Sequence, residues 1–516
     1  RGKMNVIFFI TDQQRADHLG CAGNSVLKTP HIDKLASEGV LFSNAYVGNP
    51  TCMPNRASIM TGQYPNTCSR SFGVNLPEDI PTFSGTLREQ GYATKAVGKM
   101  HLQYWMGKID KSSQSAENIG SWLSEKYHAQ MVENFPKPFY GFDEVDLVVG
   151  HGDSCNGHYQ DWVAEKAPEL LPVIKELGPK ILTDMYRKSP IPEEFYPTSY
   201  ITDRSVDFLE RYGKGDYGEK PFLLKVSYPD PHHPCTPPGK YADMYKAEDM
   251  ALPASFNDGE NLRKHPFIGP RLNLPGSGNM LFHESNEEEA RNFISHTYGM
   301  LTMIDDSVGQ ILSTVEDLGL EDDTIIVYTS DHGDMMGDHG MILKGWLPYK
   351  GILNVPLIFK VPGVTKAGSV SDSLVSAVDL APTILSQCRI DEEAQPPDMQ
   401  GLDFTPVLKD PGLSLRDSCL IEIDETDRGL NKVMPQAALT AGGPDLRLKY
   451  LITDRYSLTV YNGLPGYGDL FDLQEDPDQL NNLWDSNPDL RHELVEKLLF
   501  EVINHQSIYP KKDAMA

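Results

Sequence analysis

The sequence predicts an α/β fold, with a large mixed, mainly parallel sheet flanked by helices and a smaller C-terminal α+β domain. The first observation is that apolar runs of strand length alternate with helical patterns in the first half of the chain. The second is that four of the apolar runs end in ionisable residues. The third is a change to short, closely spaced strands beyond about residue 401. We therefore expect a large domain over residues 1–400 and a smaller one over residues 401–516.

The first β-α unit is predicted at the N-terminus. Residues 6–10 form an apolar run that ends just before Asp12. Thr29 and Pro30 then begin a helix that Gly39 ends, because Thr caps helix N-termini, Pro fits the first turn and Gly suits the C-terminal cap. This order places Asp12 at the carboxyl end of the first strand.

Two further predicted strands are followed by nitrogen-bearing side chains. A helix over residues 86–90 leads into a strand over residues 92–97, which runs into Lys99. Residues 222–226 form another apolar run, and residues 229–234 after it read Pro-Asp-Pro-His-His-Pro. Parallel strands would bring both groups of side chains to the same edge of the sheet.

The longest helix and two more strands follow. The helix is predicted to begin at Ser285, with Glu288 completing a capping box, and to continue at helical spacing to Val315. Residues 324–329 form a β-branched run, and residues 355–361 are its expected neighbour. Ligands of open α/β sheets bind beyond the carboxyl ends of the strands. The polar residues that follow the four strands are therefore expected to converge.

The C-terminal region and two long insertions complete the prediction. Strands are predicted over residues 448–453, 457–461 and 470–473, and a helix over residues 488–504. Insertions near 104–220 and 252–283 show no regular pattern, and irregular stretches of this length are usually functional. The first insertion includes His151, His158, Tyr159 and Trp162. These side chains could line a pocket, although aromatic residues in loops more often form local core.

The composition bounds the partners of the chain. Its formal charge is −27, from 73 acidic and 46 basic residues, which would repel nucleic acid and anionic membranes and favour a small anion over a polyanion. No apolar run is long enough to span a bilayer, and seven cysteines without a Cys-x-x-Cys pair give no disulfide framework. We expect no nucleic-acid or membrane partner and a cytoplasmic location, or a periplasmic or secreted one if a signal peptide has been removed. The oligomeric state is left open, a homo-oligomer included.

Cys52 is the most informative residue of the chain. Residues 52–62 read Cys-Met-Pro-Asn-Arg-Ala-Ser-Ile-Met-Thr-Gly, which places a thiol where a helix begins, a suitable position for an anion. In one interpretation Cys52 is a small buried hydrophobic residue. In the other, the helix N-terminus and Arg56 lower the pKa of the thiol and hold an oxyanion beside it. The spacing alone does not choose between them.

The same segment resembles the signature of the formylglycine-dependent sulfatases, members of the alkaline phosphatase superfamily, which includes arylsulfatases and phosphonate monoester hydrolases. The resemblance lies in Cys52, Pro54 and Arg56 and in the Thr-Gly pair that follows, with Asn55 where the family usually has Ser. It implies that a formylglycine-generating enzyme oxidises Cys52 to an aldehyde. The hydrate of this aldehyde would be the nucleophile.

Two more segments resemble the metal motifs of this family. The first contains Asp12 and Gln13, with Gln13 in place of the usual second carboxylate. The second spans residues 330–340 and has His332 where many members have Asn. The resemblance implies a divalent metal ion, calcium, manganese or magnesium, and a His ligand makes manganese credible. The implied ligands are Asp12, Gln13, Asp331, His332 and the modified Cys52.

The remaining site residues also come from the resemblance. Residues 91–101 are similar to a second signature of the family, and Lys99 and His101 can face one anion because alternate residues of an extended chain share a face. The Pro-His-x-Pro pattern at residues 231–234 selects His232. The implied roles are sulfate binding by Lys99 and Lys344, diol binding by Arg56, proton acceptance by Asp331 and His101, and protonation of the departing alcohol by His232.

The predicted function is hydrolysis of a sulfate monoester, with a small sulfate ester as substrate, to an alcohol and inorganic sulfate. The first alternative is a phosphonate monoester or phosphodiester hydrolase with the same site, or an enzyme that acts on both classes. The second is a non-catalytic anion-binding protein with an unmodified Cys52. The third is a cysteine hydrolase, which would leave Asp12, Asp331 and the two lysines without a role.

Overall fold

A computed structural model describes residues 2–69, 71–106, 115–178, 180, 183–272, 281–425 and 446–505. The strands are β1 (Asn5–Thr11), β2 (Val40–Phe42), β3 (Ala45–Tyr46), β4 (Ala93–Gly98), β5 (Glu144–Val149), β6 (Asn156–Gly157), β7 (Phe222–Ser227), β8 (His283–Glu284), β9 (Thr324–Ser330), β10 (Met341–Ile342), β11 (Leu357–Lys360), β12 (Ser369–Ser371), β13 (Val375–Ser376), β14 (Ser418–Glu425), β15 (Leu446–Thr453), β16 (Tyr456–Tyr461) and β17 (Gly468–Asp472).

The helices are α1 (Pro30–Glu38), α2 (Cys52–Thr61), α3 (Pro65–Cys68), α4 (Phe83–Glu89), α5 (Ile119–Leu123), α6 (His128–Glu133), α7 (His158–Lys166), α8 (Leu171–Leu177), α9 (Pro197–Gly213), α10 (Gly239–Asp243), α11 (Gly259–Lys264), α12 (Glu287–Asp317), α13 (Lys350–Leu353), α14 (Leu380–Gln387), α15 (Thr405–Lys409) and α16 (Pro488–Asn504). Within the described part of the chain, none of them is both long and apolar enough to cross a lipid bilayer.

Nine strands form one sheet, in the spatial order β12-β2-β11-β9-β1-β7-β4-β5-β6. The central strand β1 pairs in parallel with β7 and β9, and β4 continues the parallel run between β7 and β5. Only β11 and β6 run antiparallel to their neighbours in this sheet of described strands. Every residue of β1 is buried, as expected for a parallel strand covered on both faces. The predicted fold class is confirmed.

The predicted elements around the sheet are found with small shifts at their ends. Thr29 and Gly39 flank α1 as its caps. The long helix α12 begins at Glu287, two residues later than predicted, because the side chain of Asn286, rather than that of Ser285, accepts the hydrogen bond from Glu289 N–H. Asn is as effective an N-cap as Ser. The predicted capping box of Ser285 and Glu288 is wrong, because Asn286 caps the helix instead.

The insertion near residues 104–220 is not irregular. It contains β5 and β6, which extend the large sheet, and α9, which packs against α12. The strand β5 was missed because its first residues read Glu-Val-Asp and are only half-buried, whereas its last three are buried. The second insertion contains α11, and its residues 273–280 lie outside the described residues.

The strands β14 to β17 form a separate, antiparallel four-stranded sheet. Leu494 and Leu498 of α16 pack against its apolar face. The strand β14 was not predicted, although the other three were. It also contacts the large domain, since Asn49 Nδ2 donates to the carbonyl oxygen of Glu422 at 2.8 Å. The smaller antiparallel sheet is thus observed, and a boundary near residue 400 stays a prediction.

Candidate active site

The carboxyl ends of β1, β4, β7 and β9 meet at one edge of the large sheet. Asp12 N–H donates to the carbonyl oxygen of Asp230 at 3.2 Å, and Lys99 N–H donates to that of Ser227 at 2.9 Å. Gly98 has a φ of +101°, and a Cβ there would lie 1.8 Å from the Ser227 carbonyl oxygen. Only glycine permits this approach, which delivers the Lys99 side chain to the strand ends.

Cys52 is the first residue of α2, and the whole helix is buried. Cys52 itself is 3% exposed. Burial raises the pKa of the Cys52 thiol, although Lys344 and Lys99 act in the opposite direction. The interpretation that a helix N-terminus lowers this pKa is therefore wrong for the folded protein. A thiolate nucleophile, which a cysteine hydrolase requires, is not favoured here.

Arg56 lies one turn after Cys52 on the same helix. Its Nε donates to Asp331 Oδ2 at 2.8 Å, and its Nη1 donates to Ser227 Oγ at 3.0 Å. The other terminal nitrogen, Nη2, is buried and has no hydrogen-bond partner among the described residues. Arg56 thus connects α2 with the ends of β7 and β9 and retains one donor group for a ligand oxygen.

Asn55, the residue in the usual serine position, joins the same network. Its Nδ2 donates to the backbone oxygen of Asp331 at 2.5 Å, and its Oδ1 accepts from Gly48 N–H at 2.8 Å. A serine hydroxyl is shorter and could not reach both groups from this position. Asn55 therefore holds the segment after β9 against the start of α2.

The candidate metal ligands lie together. His332 Nε2 is 3.4 Å from Asp12 Oδ1 and 3.6 Å from Asp331 Oδ1, and all three side chains are fully buried. His332 Nδ1–H donates to the carbonyl oxygen of Gly333 at 2.9 Å, which leaves Nε2 as the ligating nitrogen. Burial lowers the pKa of His332 to about 4, so the ring is neutral, as metal binding requires.

Two buried oxygens at this place fit a cation. Asp12 Oδ1 and Gln13 Oε1 receive no hydrogen bond from any residue that the structure describes. The amide of Gln13 is oriented by its nitrogen, which donates to Asp334 Oδ2 at 2.6 Å and to His233 Nδ1 at 3.1 Å. Buried polar atoms normally have partners. Carboxylate, amide and imidazole donors together suit a hard or borderline divalent ion.

Two lysines, Lys99 and Lys344, contact the candidate metal ligands. Lys99 Nζ donates to the Asp12 carboxylate and, at 2.9 Å, to His151 Nε2. Lys344 Nζ donates to His332 Nε2 at 3.0 Å, so Lys344 and a bound cation would compete for this nitrogen. Burial alone would raise the pKa of Asp12, but the neighbouring cations, Lys99 foremost, hold it well below its usual range.

The two predicted histidines have neutral rings with different contacts. Both ring nitrogens of His101 are buried without a hydrogen-bond partner among the described residues, and its ring stacks on Trp105 at 3.9 Å between centroids. His232 Nδ1–H donates to the carbonyl oxygen of His233 at 2.5 Å, so its Nε2 is available to a ligand. Burial lowers the pKa of both rings well below the usual value.

Sequence reasoning missed His151 as a site residue. It follows β5 and contacts Lys99, whereas Tyr159 and Trp162 belong to the apolar core and His158 Nδ1 accepts from Leu147 N–H at 2.9 Å. The interpretation as local core thus fits three of the four residues of the first insertion. The position of His151 directly after a strand could have indicated its role. This indication was not available because β5 itself was not predicted.

Known proteins are similar to this chain over most of its length. A family model described as "Sulfatase" matches residues 4–390, more than half of the chain. The chain is 29% identical to an arylsulfatase of Clostridium perfringens over 94% of this chain and 91% of that protein. It is also 29% identical to the multifunctional alkaline phosphatase superfamily protein PehA of Trinickia caryophylli, over 93% and 91% of the two chains.

Solved structures show the same fold. The phosphonate monoester hydrolase of Agrobacterium radiobacter superimposes with a TM-score of 0.77 at 24% identity, covering 98% of this chain and 96% of that one. The fold described above is therefore shared with that structure over nearly the whole chain.

Proposed function

The chain belongs to the sulfatase family, and on that premise we propose that it hydrolyses a sulfate monoester to an alcohol and inorganic sulfate, using formylglycine derived from Cys52 and a divalent metal ion. The observation that carries the proposal is the pair of unsatisfied buried oxygens, Asp12 Oδ1 and Gln13 Oε1, beside the ion pair of Arg56 and Asp331. Buried oxygen atoms that accept no hydrogen bond are suited to bind a cation. The cation would in turn neutralise the negative charge of the ester oxygens.

The residues of the chain would hold both groups. Asp12, Gln13, Asp331 and His332 would hold the metal, and Arg56 would hold the oxygen of the modified Cys52 through its free Nη2. When bound, the metal supplies positive charge for the ester oxygens, and formylglycine supplies an oxygen nucleophile in place of the thiol. The formylglycine-generating enzyme is accordingly a proposed partner.

Lys99 and Lys344 would bind the ester oxygens, since both ammonium groups lie at the strand ends within contact of candidate metal ligands. The negative oxygens of an ester repel an attacking oxygen, so fixed cations on both sides lower the barrier. Asp331 accepts hydrogen bonds from Arg56 Nε and from Gln13 N–H, which orient its carboxylate to take up a proton.

His232 and His101 would move protons at opposite ends of the reaction. An arriving anion raises the pKa of a neighbouring imidazole, so His232 Nε2 can take up a proton and pass it to the departing alcohol. His101 has two ring nitrogens without partners in the described structure, and it would accept a proton when sulfate is released.

The second candidate function is hydrolysis of a phosphonate monoester or a phosphodiester at the same site. Gln13 favours it, because a neutral ligand in place of a carboxylate leaves the metal site less negative and so open to either class of monoanionic ester. The acidic chain, at −27, also favours a small ester over a sulfated polymer in both cases.

The test is parallel kinetics on an aryl sulfate and an aryl phosphonate monoester, with protein coexpressed with a formylglycine-generating enzyme. Mass spectrometry of the peptide over residues 52–56 measures the aldehyde. Cys52→Ser should abolish turnover, while Cys21→Ser, which changes a cysteine outside the site, should retain it. Full activity of protein that carries only the thiol would overturn the proposal, and a higher kcat/KM on the phosphonate would select the second function.

A further inference from the structure

His151 lies within the site but has no role in the reaction as described so far. It follows β5 at the same edge of the sheet as Asp12 and Lys99, and its side chain is 12% exposed, whereas theirs are completely buried. Its Nε2 is 2.9 Å from Lys99 Nζ and 3.3 Å from Asp12 Oδ2. Since an ammonium only donates, His151 Nε2 is an acceptor for Lys99.

The ring of His151 also supports His232. The two imidazoles stack with centroids 3.5 Å apart and planes 4° apart. On another side, the centroid of Trp105 lies 5.0 Å away, and the same indole stacks on His101. His151 therefore touches the predicted sulfate-binding lysine and the predicted proton donor at the same time.

The backbone fixes this placement. Gly152 has a φ of +57°, and a Cβ there would lie 2.8 Å from the carbonyl oxygen of Pro234. Asp153 N–H donates to Thr236 Oγ1 at 3.0 Å. The segment that carries His151 is thus packed directly against the segment that carries His232.

A metal ion between these residues is not compatible with the contacts. Ligand atoms of Asp12, His151 and His232 do lie within 4.8 Å of one another. However, Lys99 Nζ already occupies the space between Asp12 and His151. Two stacked parallel rings also cannot both direct an in-plane lone pair at one ion. The cluster is instead completed by the ammonium of Lys99.

We propose that His151 is a positioning residue, which directs the ammonium of Lys99 toward the ester and holds the ring of His232 in place. This inference rests on the proposed function of the site. An ammonium has three donors on a flexible stem. Asp12 and His151 take two, which aims the third at the ligand. A neutral acceptor suits this place because a carboxylate would cancel the charge of Lys99 and repel the anionic ester.

Two substitutions separate the two contacts. His151→Gln keeps an acceptor for Lys99 but removes the ring, and His151→Phe keeps the ring but removes the acceptor. His492→Gln, at an exposed position of α16, is the matched control and should behave as the wild type. The measurements are the affinity for inorganic sulfate by calorimetry, kcat and KM on aryl sulfates with good and poor leaving groups, and the unfolding temperature.

For His151→Phe we expect sulfate to bind about tenfold more weakly and KM to rise to a similar extent for every leaving group, as for a weakened charge-assisted hydrogen bond. For His151→Gln we expect near-normal sulfate affinity. Its kcat should fall about tenfold for poor leaving groups and little for good ones, because only the former need a proton from His232.

Equal losses in the two variants, or wild-type behaviour of both, would overturn the proposal, since either result means that the side chain only fills space. Wild-type protein that does not bind sulfate would overturn it as well. Sulfate binding can be measured without turnover, so it tests the contact of His151 with Lys99 separately from the proposed function. Protein that hydrolyses neither class of ester, but binds sulfate more weakly only in His151→Phe, would refute the proposed function and support the contact of His151 with Lys99.

Discussion

At the ends of β1 and β9 the site presents oxygen and nitrogen acceptors, whereas at the ends of β4, β5 and β7 it presents an ammonium group and imidazole rings. The metal half consists of Asp12, Gln13, Asp331 and His332. The histidine half consists of Lys99, His101, His151 and His232. One half attracts a cation and the other an anion, and their adjacency suits an ester whose oxygens are negative. The contrast shows that the two halves offer different chemistry to a ligand, carboxylate and amide oxygens on one side and imidazole rings with an ammonium group on the other.

The two halves meet at a single side chain. Asp12 turns Oδ1 toward His332 and Oδ2 toward Lys99 and His151. Its pKa is held well below the usual range, against the effect of burial, foremost by the charge of Lys99. Asp12 therefore belongs to both halves, and its substitution should affect both of them together.

The largest effect is expected for Asp12→Asn. The substitution removes the negative charge proposed to bind the metal and leaves one oxygen acceptor where the site uses two, so kcat/KM should fall about 10³-fold or more. Metal content measured by mass spectrometry should fall with it. Asp322→Asn, at an exposed position before β9, serves as the control and should leave both quantities unchanged. Retained metal and activity in Asp12→Asn would show that the halves do not share this carboxylate.

The second effect concerns the metal half alone. Gln13→Ala removes one oxygen ligand and should weaken metal binding about 10–100-fold, with activity restored by excess metal after treatment with a chelator. A titration of activity against free metal measures this change. Sulfate affinity measured at saturating metal should stay within about twofold, because Lys99 and Lys344 are unchanged. A loss of activity that no metal concentration restores would contradict the role assigned to Gln13.

The third effect concerns the histidine half. Glu117 is buried, and its carboxylate accepts from the backbone N–H of His101 at 2.6 Å and from Trp105 Nε1 at 3.0 Å, as well as from two other backbone groups. Glu117→Gln replaces an acceptor by a donor facing N–H groups, which should lower the free energy of unfolding by about 2 kcal/mol. Urea unfolding measures it.

The same variant should lower kcat about tenfold, since His101 and the indole stacked on it lose their support. Metal affinity should not change, because none of the four groups that donate to Glu117 belongs to the metal half. Glu125→Gln, at an exposed position of the same region, is the matched control. Unchanged stability of Glu117→Gln would mean that the four hydrogen bonds are replaced by other acceptors.

The smallest effect is expected at the residue that links α2 to the metal half. Asn55→Ser introduces the residue usual in the family but cannot span both Gly48 and Asp331, so the unfolding free energy should fall by about 1 kcal/mol. Activity should stay within a few-fold, and the yield of aldehyde in the peptide should be the same. A large loss of aldehyde would instead mean that Asn55 is needed for the modification itself.

The metal half was predictable because its residues lie directly after long, apolar strands. The strands β1 and β9 are seven residues each and buried throughout, so both their periodicity and their ends were clear. The convergence of Asp12 and Asp331 then followed from parallel topology. The positions of the unsatisfied oxygens could not be foreseen, because they depend on how the Gln13 amide is held by its neighbours.

The histidine half was predicted less completely. Lys99 and His232 follow β4 and β7, which were recognised, whereas His151 follows β5, which begins with charged residues and carries only three fully buried positions. Strand length and alternation are weak signals in such short segments. The left-handed φ of His101 and its stacking on Trp105 also depend on the distant carboxylate of Glu117, which no local pattern indicates.

The burial of α2 has a consequence for the maturation of the chain. Every residue of the helix is buried, and Cys52 lies beneath the strand ends with 3% of its surface accessible. A second enzyme needs several residues on either side of a target in its own cleft, which this packing denies. The proposed enzymatic oxidation of Cys52 would therefore have to precede the packing of α2 into the folded chain.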